Sequence, residues 1–355
     1  MGGISSYIYS YFYGNKDNNN NISTIPKNNI DSSSEISPSR PKLKIKYSKF
    51  LSKEITSVSN ISIFPSKKIA LTVNENELYI LDEKFNFLTK TKNTEKNISI
   101  KDDNLFLTYD ENIISIWYIN INENNIQLNK KDVIRINDTH IIQISFNSDI
   151  LGLSKNTDLY KIFKYSESED NIHKEDASFV SRENIFCFLF LKNKNNGLIV
   201  ISQKYRLKIY QINKNNFQLN TIINLNNYRH SCNMKLLNYG NDILALLIKD
   251  NTPTTYHGPL DSLIFFDKKT MKQISSKMLY WTSRTNDVDF FYKKKLFLFK
   301  DFWRISAGLI IENYKVVVDI NMNINASKFI KLNENEICTY EKNNDDRKLC
   351  IYEFE

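Results

Sequence analysis

Glycine, proline and cysteine are scarce in this chain of 355 residues, which contains 8 glycines, 6 prolines and 4 cysteines. The cysteines lie far apart, and their spacing fits neither a short-spaced zinc site nor a dense disulfide framework; they are Cys187, Cys232, Cys338 and Cys350. A reducing, cytosolic environment is therefore expected. Because glycine and proline are so few, asparagine and aspartate are expected at the turns, where both tolerate left-handed backbone.

Long apolar runs are also missing. No stretch of about 18 apolar residues is present, so no transmembrane helix is predicted. The segment from Ile4 to Tyr13 alternates with serine and tyrosine, which argues against the apolar core of a signal peptide.

Histidine is equally scarce, and the spacing of the 4 histidines suits neither a metal site nor a catalytic triad. His230 and Cys232 lie two residues apart, but no second pair of that kind is near them in the sequence. No glycine-rich loop that could cradle a phosphate is present. We therefore predict no catalytic residue, no metal ligand and no cofactor.

The charge and the polar composition give little evidence for a nucleic-acid site. The formal net charge is +8, which is compatible with nucleic acid or an anionic membrane surface. The lysines, however, are scattered among asparagine and aspartate, and abundant Asn, Lys and Ile are typical of an A/T-rich genome. This pattern favours compositional bias over a nucleic-acid site.

The stretch from Asn104 to Asn120, NLFLTYDENIISIWYIN, is the clearest structural unit in the sequence. Two runs of β-branched and aromatic residues flank the polar turn from Asp110 to Asn112, which predicts a β-hairpin. An isolated hairpin is marginally stable in water, so neighbouring units of the same kind are required to bury its faces.

Similar units recur from about residue 42 to the end of the chain, with roughly 37 to 56 residues between corresponding strands. The repeat predicts an all-β fold, a seven-bladed β-propeller over residues 42–355. The last unit has only three strands, whereas Lys42 to Lys46, or Phe50 to Ile55, provides a spare strand before the first unit. Pairing of the N-terminal strand with the C-terminal strands is expected to close the ring.

The repeats resemble degenerate WD40 repeats. The segment ISIFPSKKIALTV, from Ile61, is similar to that family's strand ending in Phe-Ser-Pro and the Leu-Ala strand that follows it. The segment IISIWYI is similar to its strand ending in Ile-Trp-Asp, with Trp117 in place and Tyr118 where Asp is usual. Weaker similarities begin at Leu207 and Ser262. The resemblance implies a WD40-like seven-bladed propeller.

The first residues, MGGISSYIYSYFYG, carry a lipidation motif. Gly2 followed by Ser6 is the spacing that N-myristoyltransferase accepts once Met1 is removed. Aromatic rings near it suit the headgroup level of a membrane, and the predicted membrane-contact residues are Tyr7, Tyr9, Tyr11, Phe12 and Tyr13. The alternative is a chance MGG start on a disordered tail.

One myristoyl chain binds a membrane only marginally, so a second signal is expected. The aromatic residues are one candidate, and a run of six basic residues between Arg40 and Lys53 is another. In that run KLKIKY alternates lysine with apolar residues, which also fits a half-exposed edge strand. Residues 1–14 are thus interpreted as a lipidated aromatic anchor. Residues 15–41, rich in Asn, Ser and Pro, are interpreted as a disordered linker.

Two polar insertions are candidate contact loops on the ring. Asn251 to Asp261 displays Tyr256 and His257, and Glu167 to Asp176 is acidic in a basic protein.

The leading hypothesis is a non-enzymatic scaffold that presents loops and rim to protein partners. Myristoylation would hold it, as a monomeric ring within a complex, on the cytosolic face of a membrane. One alternative is a soluble propeller subunit of a larger coat, tethering or ribonucleoprotein assembly. Another is a propeller enzyme with its active site in the central channel.

Overall fold

The computed structural model describes residues 41–122, 125–137, 139–146, 149–166, 174–192, 197–203, 206–213, 216–225, 231–250, 261–279, 288–301, 304–310, 314, 316–343 and 346–355. Strand dominates these residues, and the helix among them is one 3₁₀ turn, Tyr292–Lys294. Within the described ranges, none of the helical structure has the length and apolar character needed to cross a bilayer.

Seven four-stranded antiparallel sheets, here called blades 1 to 7, are arranged along the chain. Blades 1 to 3 consist of β2 (Val58–Ile63), β3 (Ile69–Val73), β4 (Glu77–Leu81) and β5 (Phe87–Lys92); β6 (Asn97–Ile100), β7 (Leu105–Asp110), β8 (Ile113–Asn122) and β9 (Asn125–Arg135); and β10 (His140–Phe146), β11 (Ile150–Asn156), β12 (Leu159–Ser166) and β13 (Lys174–Ser181). In each blade the strands pair in sequence order, as expected for successive hairpins.

Blades 4 to 6 repeat this arrangement with β14 (Ile185–Lys192), β15 (Gly197–Gln203), β16 (Arg206–Asn213) and β17 (Asn216–Asn224); β18 (Ser231–Tyr239), β19 (Ile243–Asp250), β20 (Asp261–Asp267) and β21 (Gln273–Leu279); and β22 (Val288–Phe291), β23 (Leu296–Asp301), β24 (Arg304–Ile310) and β25 (Val316–Asn325). In six of the seven pairs of neighbouring blades the first strands lie beside one another, as expected for the innermost strands of a ring.

Blade 7 is built from both ends of the propeller sequence. It consists of β26 (Lys328–Lys331), β27 (Glu336–Asn343), β28 (Asp346–Phe354) and, outermost, β1 (Leu43–Phe50). β1 runs antiparallel to β28, with Leu43 opposite Phe354 and Phe50 opposite Lys348. The predicted closure of the ring is confirmed, and the closing strand spans parts of both segments that were considered for it.

The described hydrophobic core divides into seven clusters, and each cluster lies between two consecutive blades. Tyr79 of blade 1 packs with Tyr340 of blade 7 in the cluster that completes the circle. The other six clusters join blades 1 and 2, 2 and 3, 3 and 4, 4 and 5, 5 and 6, and 6 and 7. Each blade therefore buries its two faces against its neighbours, which confirms the all-β, seven-bladed propeller.

Trp117 of β8 is part of this packing between blades. Its indole is 3% exposed and lies 6.3 Å from the Phe106 ring, stacked at 6°. Its N–H donates to Thr108 Oγ1 at 2.9 Å, and the Thr108 hydroxyl donates in turn toward Asn93 Oδ1 at 3.0 Å. Ser115 Oγ donates to the buried Glu95 carboxylate at 2.7 Å. This network gives polar groups buried in blade 2 their partners, so Trp117 is structural.

β13 is a strand that the sequence does not predict. Its residues, KEDASFVS, are mostly polar, and only Ala177 among them is buried. Part of the acidic insertion expected as a loop belongs to this strand instead. Glu175 pairs with Lys161 at 2.7 Å and Asp176 pairs with Lys164 at 3.4 Å across the sheet. These acidic side chains therefore neutralise neighbouring lysines of their own blade.

Candidate functional site

The predicted site residues lie outside the described part of the chain. They are the lipidation residues Gly2 and Ser6, the aromatic residues Tyr7, Tyr9, Tyr11, Phe12 and Tyr13, and the loop residues Tyr256 and His257. Their roles remain predictions.

The cysteine thiols of the described residues are buried, and their raised pKa values disfavour the reactive thiolate form. Burial raises the pKa of Cys187 to about 11 and that of Cys350 to about 12, and it also raises the pKa of Cys338. Cys338 and Cys350 face different clusters on opposite sides of blade 7, so they cannot join in a disulfide. Cys187, Cys338 and Cys350 are free thiols, and the reducing, cytosolic environment stays a prediction.

The first strands of the blades, which line the centre of the ring, contain few residues of the kinds that catalysis uses. In the first strands of the blades, Asp289 is the one carboxylate and His140 the one histidine. Over the residues with described positions, no group of three or more His, Cys, Asp and Glu side chains could hold a metal ion. These strands therefore do not bring carboxylates or histidines together.

A different surface emerges where the ring closes between blades 7 and 1. β1 ends at Phe50, and Leu51 N donates to Arg347 O at 2.8 Å, which turns the chain toward blade 1. From the other side comes the turn between β4 and β5, residues 82–86. Asp82 organises this turn, because its carboxylate accepts hydrogen bonds from the backbone N–H of Lys84 at 2.8 Å and of Asn86 at 2.7 Å.

The electrostatics and backbone of this turn are consistent with a fixed conformation. Burial opposes ionisation of Asp82, but the hydrogen bonds from Asn86 and Lys84 outweigh it, so the pKa of Asp82 is below its usual value. Phe85 adopts a left-handed φ of 60° and is 3% exposed, with its ring 5.5 Å from that of Tyr47 on β1. The turn is thus held against the closing strand.

An open groove of about 380 Å³ lies beside this turn, and we call it the seam groove. It is lined by Lys49, Phe50, Leu51, Ser52, Glu54, Ile55, Tyr79, Leu81, Phe85, Phe87 and Lys90. Its deeper residues, Ile55, Leu81 and Phe85, are nearly fully buried. Its rims are the end of β1 on one side and the start of β5 on the other.

Two exposed phenylalanines distinguish the seam groove from the rest of the described surface. Phe50 is 63% exposed and Phe87 is 55% exposed, the highest values among the large exposed hydrophobic residues of the described chain. Both side chains line the same groove. Large exposed apolar side chains that line one groove are typical of an interaction site.

Lysine predominates on the two strands that border the groove. β1 contributes Lys44, Lys46 and Lys49, β5 contributes Lys90 and Lys92, and neither strand contains an acidic residue. Lys49 Nζ donates to Asn86 Oδ1 at 2.9 Å, and Lys90 Nζ lies 3.2 Å from Glu77 and 5.3 Å from the centre of the Tyr79 ring. Glu54 is the acidic residue of the lining. The groove is therefore apolar at its base and predominantly basic along its strands.

A second pocket, of about 320 Å³, lies across the Tyr47–Phe85 contact. In it Glu336 of β27 accepts a hydrogen bond from Lys46 of β1 at 2.5 Å and lies 3.7 Å from Lys67 of blade 1. Burial alone would raise the pKa of Glu336, but hydrogen bonds from Lys46 and Asn333 outweigh it, so the pKa is lowered. This ion pair fastens the closing strand to blade 7.

Sequence reasoning did not find the seam groove. Phe50 and Phe87 are recognisable as strand residues, but they are 37 positions apart in the sequence, and only the closure of the ring brings them together. The edge strand predicted for KLKIKY is confirmed by β1, but the expected alternation is not kept, because Ile45 is exposed like Lys44 and Lys46 and the register shifts between Ile45 and Tyr47.

Comparisons with known proteins support the fold. The sequence matches no protein-family model and no curated protein sequence. Solved structures do match. The Dos1 propeller has a TM-score of 0.56 at 9% identity, over 84% of this chain and 77% of that one.

Two further structures extend the comparison. A chain of the mitotic checkpoint complex has a TM-score of 0.59 at 8% identity, over 94% of this chain and 99% of that one. The WD40 domain of SCAP from fission yeast has a TM-score of 0.52 at 8% identity, over 85% and 86%. At such identities the likeness concerns the fold, and this chain is a seven-bladed β-propeller with WD40-like structural neighbours.

Proposed function

We propose that this protein is a non-enzymatic interaction scaffold which N-myristoylation of Gly2 holds on the cytosolic face of a membrane. The observation that carries the scaffold role is the seam groove, where the two most exposed phenylalanines of the described surface meet on a closed ring. A closed propeller whose blades pack against one another through buried clusters is a rigid support, and rigid supports present binding surfaces without ordering cost.

The structural neighbours agree with this role at the level of the fold. One of them was solved as a chain of the mitotic checkpoint complex, so a propeller of similar shape occurs within a multiprotein assembly. Another is described as a WD40 domain. By analogy, the present chain is proposed to bind protein partners.

The membrane part of the proposal depends on the sequence of the first 14 residues. Gly2 and Ser6 satisfy the myristoylation motif, and Tyr7, Tyr9, Tyr11, Phe12 and Tyr13 would add contacts at the headgroup level. The added contacts matter because a single myristoyl chain binds membranes with an association constant of only about 10⁴ M⁻¹.

Metabolic labelling with an azide-tagged myristate tests the anchor. We expect the wild-type chain to be labelled and recovered with membranes, and Gly2→Ala to lose both properties. Gly3→Ala is the matched control, because the motif leaves that position open. Equal labelling, or equal membrane recovery, of wild type and Gly2→Ala would refute the anchor.

The same fractionation distinguishes the lipid-anchored scaffold from the main alternative. A soluble subunit of a coat, tethering or ribonucleoprotein assembly would co-purify stably from cytosol, and removal of residues 1–14 would not change its fractionation. Lost membrane recovery after that removal supports the lipid-anchored scaffold instead.

A further inference from the structure

We propose that the seam groove binds an extended peptide segment of a partner protein, in which a bulky apolar side chain is flanked by acidic residues. The inference rests on the scaffold part of the proposed function and specifies the chemistry of the partner. It is independent of the lipid anchor.

The shape of the groove suits one anchoring side chain. Its volume of about 380 Å³ lies within the range of about 300–1,000 Å³ that is usual for ligand sites. Buried Leu81 and Phe85 form an apolar base, and exposed Phe50 and Phe87 stand at the rims. An apolar side chain that enters the groove would remove both phenylalanine rings from water. Such enclosed aromatic residues are typical binding hot spots.

The strands beside the groove suit an extended backbone. β1 is the outermost strand of blade 7, and β5 is the outermost strand of blade 1. An outermost strand presents backbone N–H and C=O groups along its free edge, and an extended peptide can pair with them. The concave apolar base together with these edges favours a peptide over a flat membrane surface.

The charge of these strands determines which peptide fits. β1 and β5 contain five lysines and no acidic residue, of which Lys46 pairs with Glu336 and Lys90 with Glu77. Lys49 lies in the groove lining, opposite in charge to Glu54, and Lys44 and Lys92 are exposed at the strand ends away from Phe50 and Phe87. An acidic residue beside the anchor would meet Lys49, and one further along an extended peptide would meet Lys44 or Lys92, whereas basic residues would be repelled.

Selection from a phage-displayed library of random peptides against the full-length chain, produced without myristate, tests the proposal. We expect selected peptides to share one aromatic or branched apolar residue next to Asp or Glu. Fluorescent synthetic copies of these peptides then give dissociation constants for the variants. Phe50→Ser and Phe87→Ser should each weaken binding about tenfold or more.

Matched variants separate the groove from general surface effects. Val180→Ser removes an apolar side chain that is 54% exposed on β13, and it should leave the dissociation constant unchanged. Lys49→Glu and Lys92→Glu should weaken binding, and added salt should weaken it as well, whereas Lys174→Glu on β13 should not matter. Urea unfolding midpoints equal to wild type would show that each variant is folded.

Four results would overturn the proposal. The first is that selected peptides bind Phe50→Ser and Phe87→Ser as tightly as wild type, and the second is that they show no preference for acidic residues. The third is that no peptide is selected while the wild type, but not these variants, binds vesicles of phosphatidylcholine and phosphatidylserine, which would make the surface a membrane contact. The fourth is that the two substitutions abolish self-association in sedimentation, which would assign the groove to a second copy of the chain. Loss of the peptide site would leave the myristate labelling of Gly2 unaffected, so the two proposals fail separately.

Discussion

Gly152 offers a direct test of how the blades are packed. It lies on β11 directly opposite Phe163 on β12, and the buried Phe163 ring covers the glycine. A methyl group added at Gly152 would lie 1.9, 2.4 and 2.6 Å from three atoms of that ring. Carbon atoms in contact prefer separations of about 3.5–4.0 Å, so the ring would have to move by roughly 1–2 Å within a filled cluster. Overpacking of this kind costs about 1–3 kcal/mol.

The prediction is measured as the free energy of unfolding in urea. Gly152→Ala should lower the unfolding midpoint while leaving the slope of the transition unchanged. Phe163→Leu creates space and lowers stability by itself, but in the double variant the two changes should compensate, with a favourable coupling of about 0.5–3 kcal/mol. A Gly152→Ala variant as stable as wild type, or a double variant whose losses simply add, would refute the packing argument.

Three further predictions concern the seam, blade 2 and ring closure. Glu336→Gln should lower the free energy of unfolding by about 1 kcal/mol at neutral pH. Because the folded pKa of Glu336 is lowered, its contribution is present above the unfolded pKa of about 4.3 and is lost as pH falls through the folded value, so the gap between the unfolding free energies of wild type and variant should close in acid. Thr108→Val should lower the free energy of unfolding by about 1–3 kcal/mol, because it leaves the Trp117 indole N–H without its acceptor. Thr108→Ser keeps a hydroxyl at this position and should retain most of the stability. Equal unfolding midpoints for the two variants would contradict this. Removal of residues 1–40 should leave the unfolding midpoint unchanged. Removal of residues 1–50 also deletes β1, and cooperative unfolding should then be lost. A cooperative transition without β1 would show that closure of the ring by this strand is dispensable.

The strands were predictable where apolar residues are frequent. The hairpin predicted on either side of the turn from Asp110 to Asn112 is present as β7 and β8, because two β-branched and aromatic runs end at that polar turn. β13 was not predicted, because its strand conformation depends on pairing with β12 rather than on its own composition. Tertiary pairing thus supplied a strand that local sequence did not indicate.

The candidate site was less accessible to prediction than the fold. The presence of a closing strand followed from counting three strands in the last repeat, but its register and the groove beside it did not. Phe50 is at the end of β1 and Phe87 at the beginning of β5, and their meeting depends on how blade 7 packs against blade 1. Exposure of these rings is a property of the assembled ring, and no local pattern distinguishes them from phenylalanines in the core.

Proximity labelling in cells tests the central claim, that this propeller is a membrane-held scaffold, most directly. A biotin ligase fused to the C-terminus would be compared among wild type, Gly2→Ala and Phe50→Ser/Phe87→Ser. We predict that Gly2→Ala loses membrane-resident neighbours, while the double phenylalanine variant keeps the membrane neighbours and loses a distinct set of partners. The same labelled proteins in all three cases would contradict both the anchor and the groove.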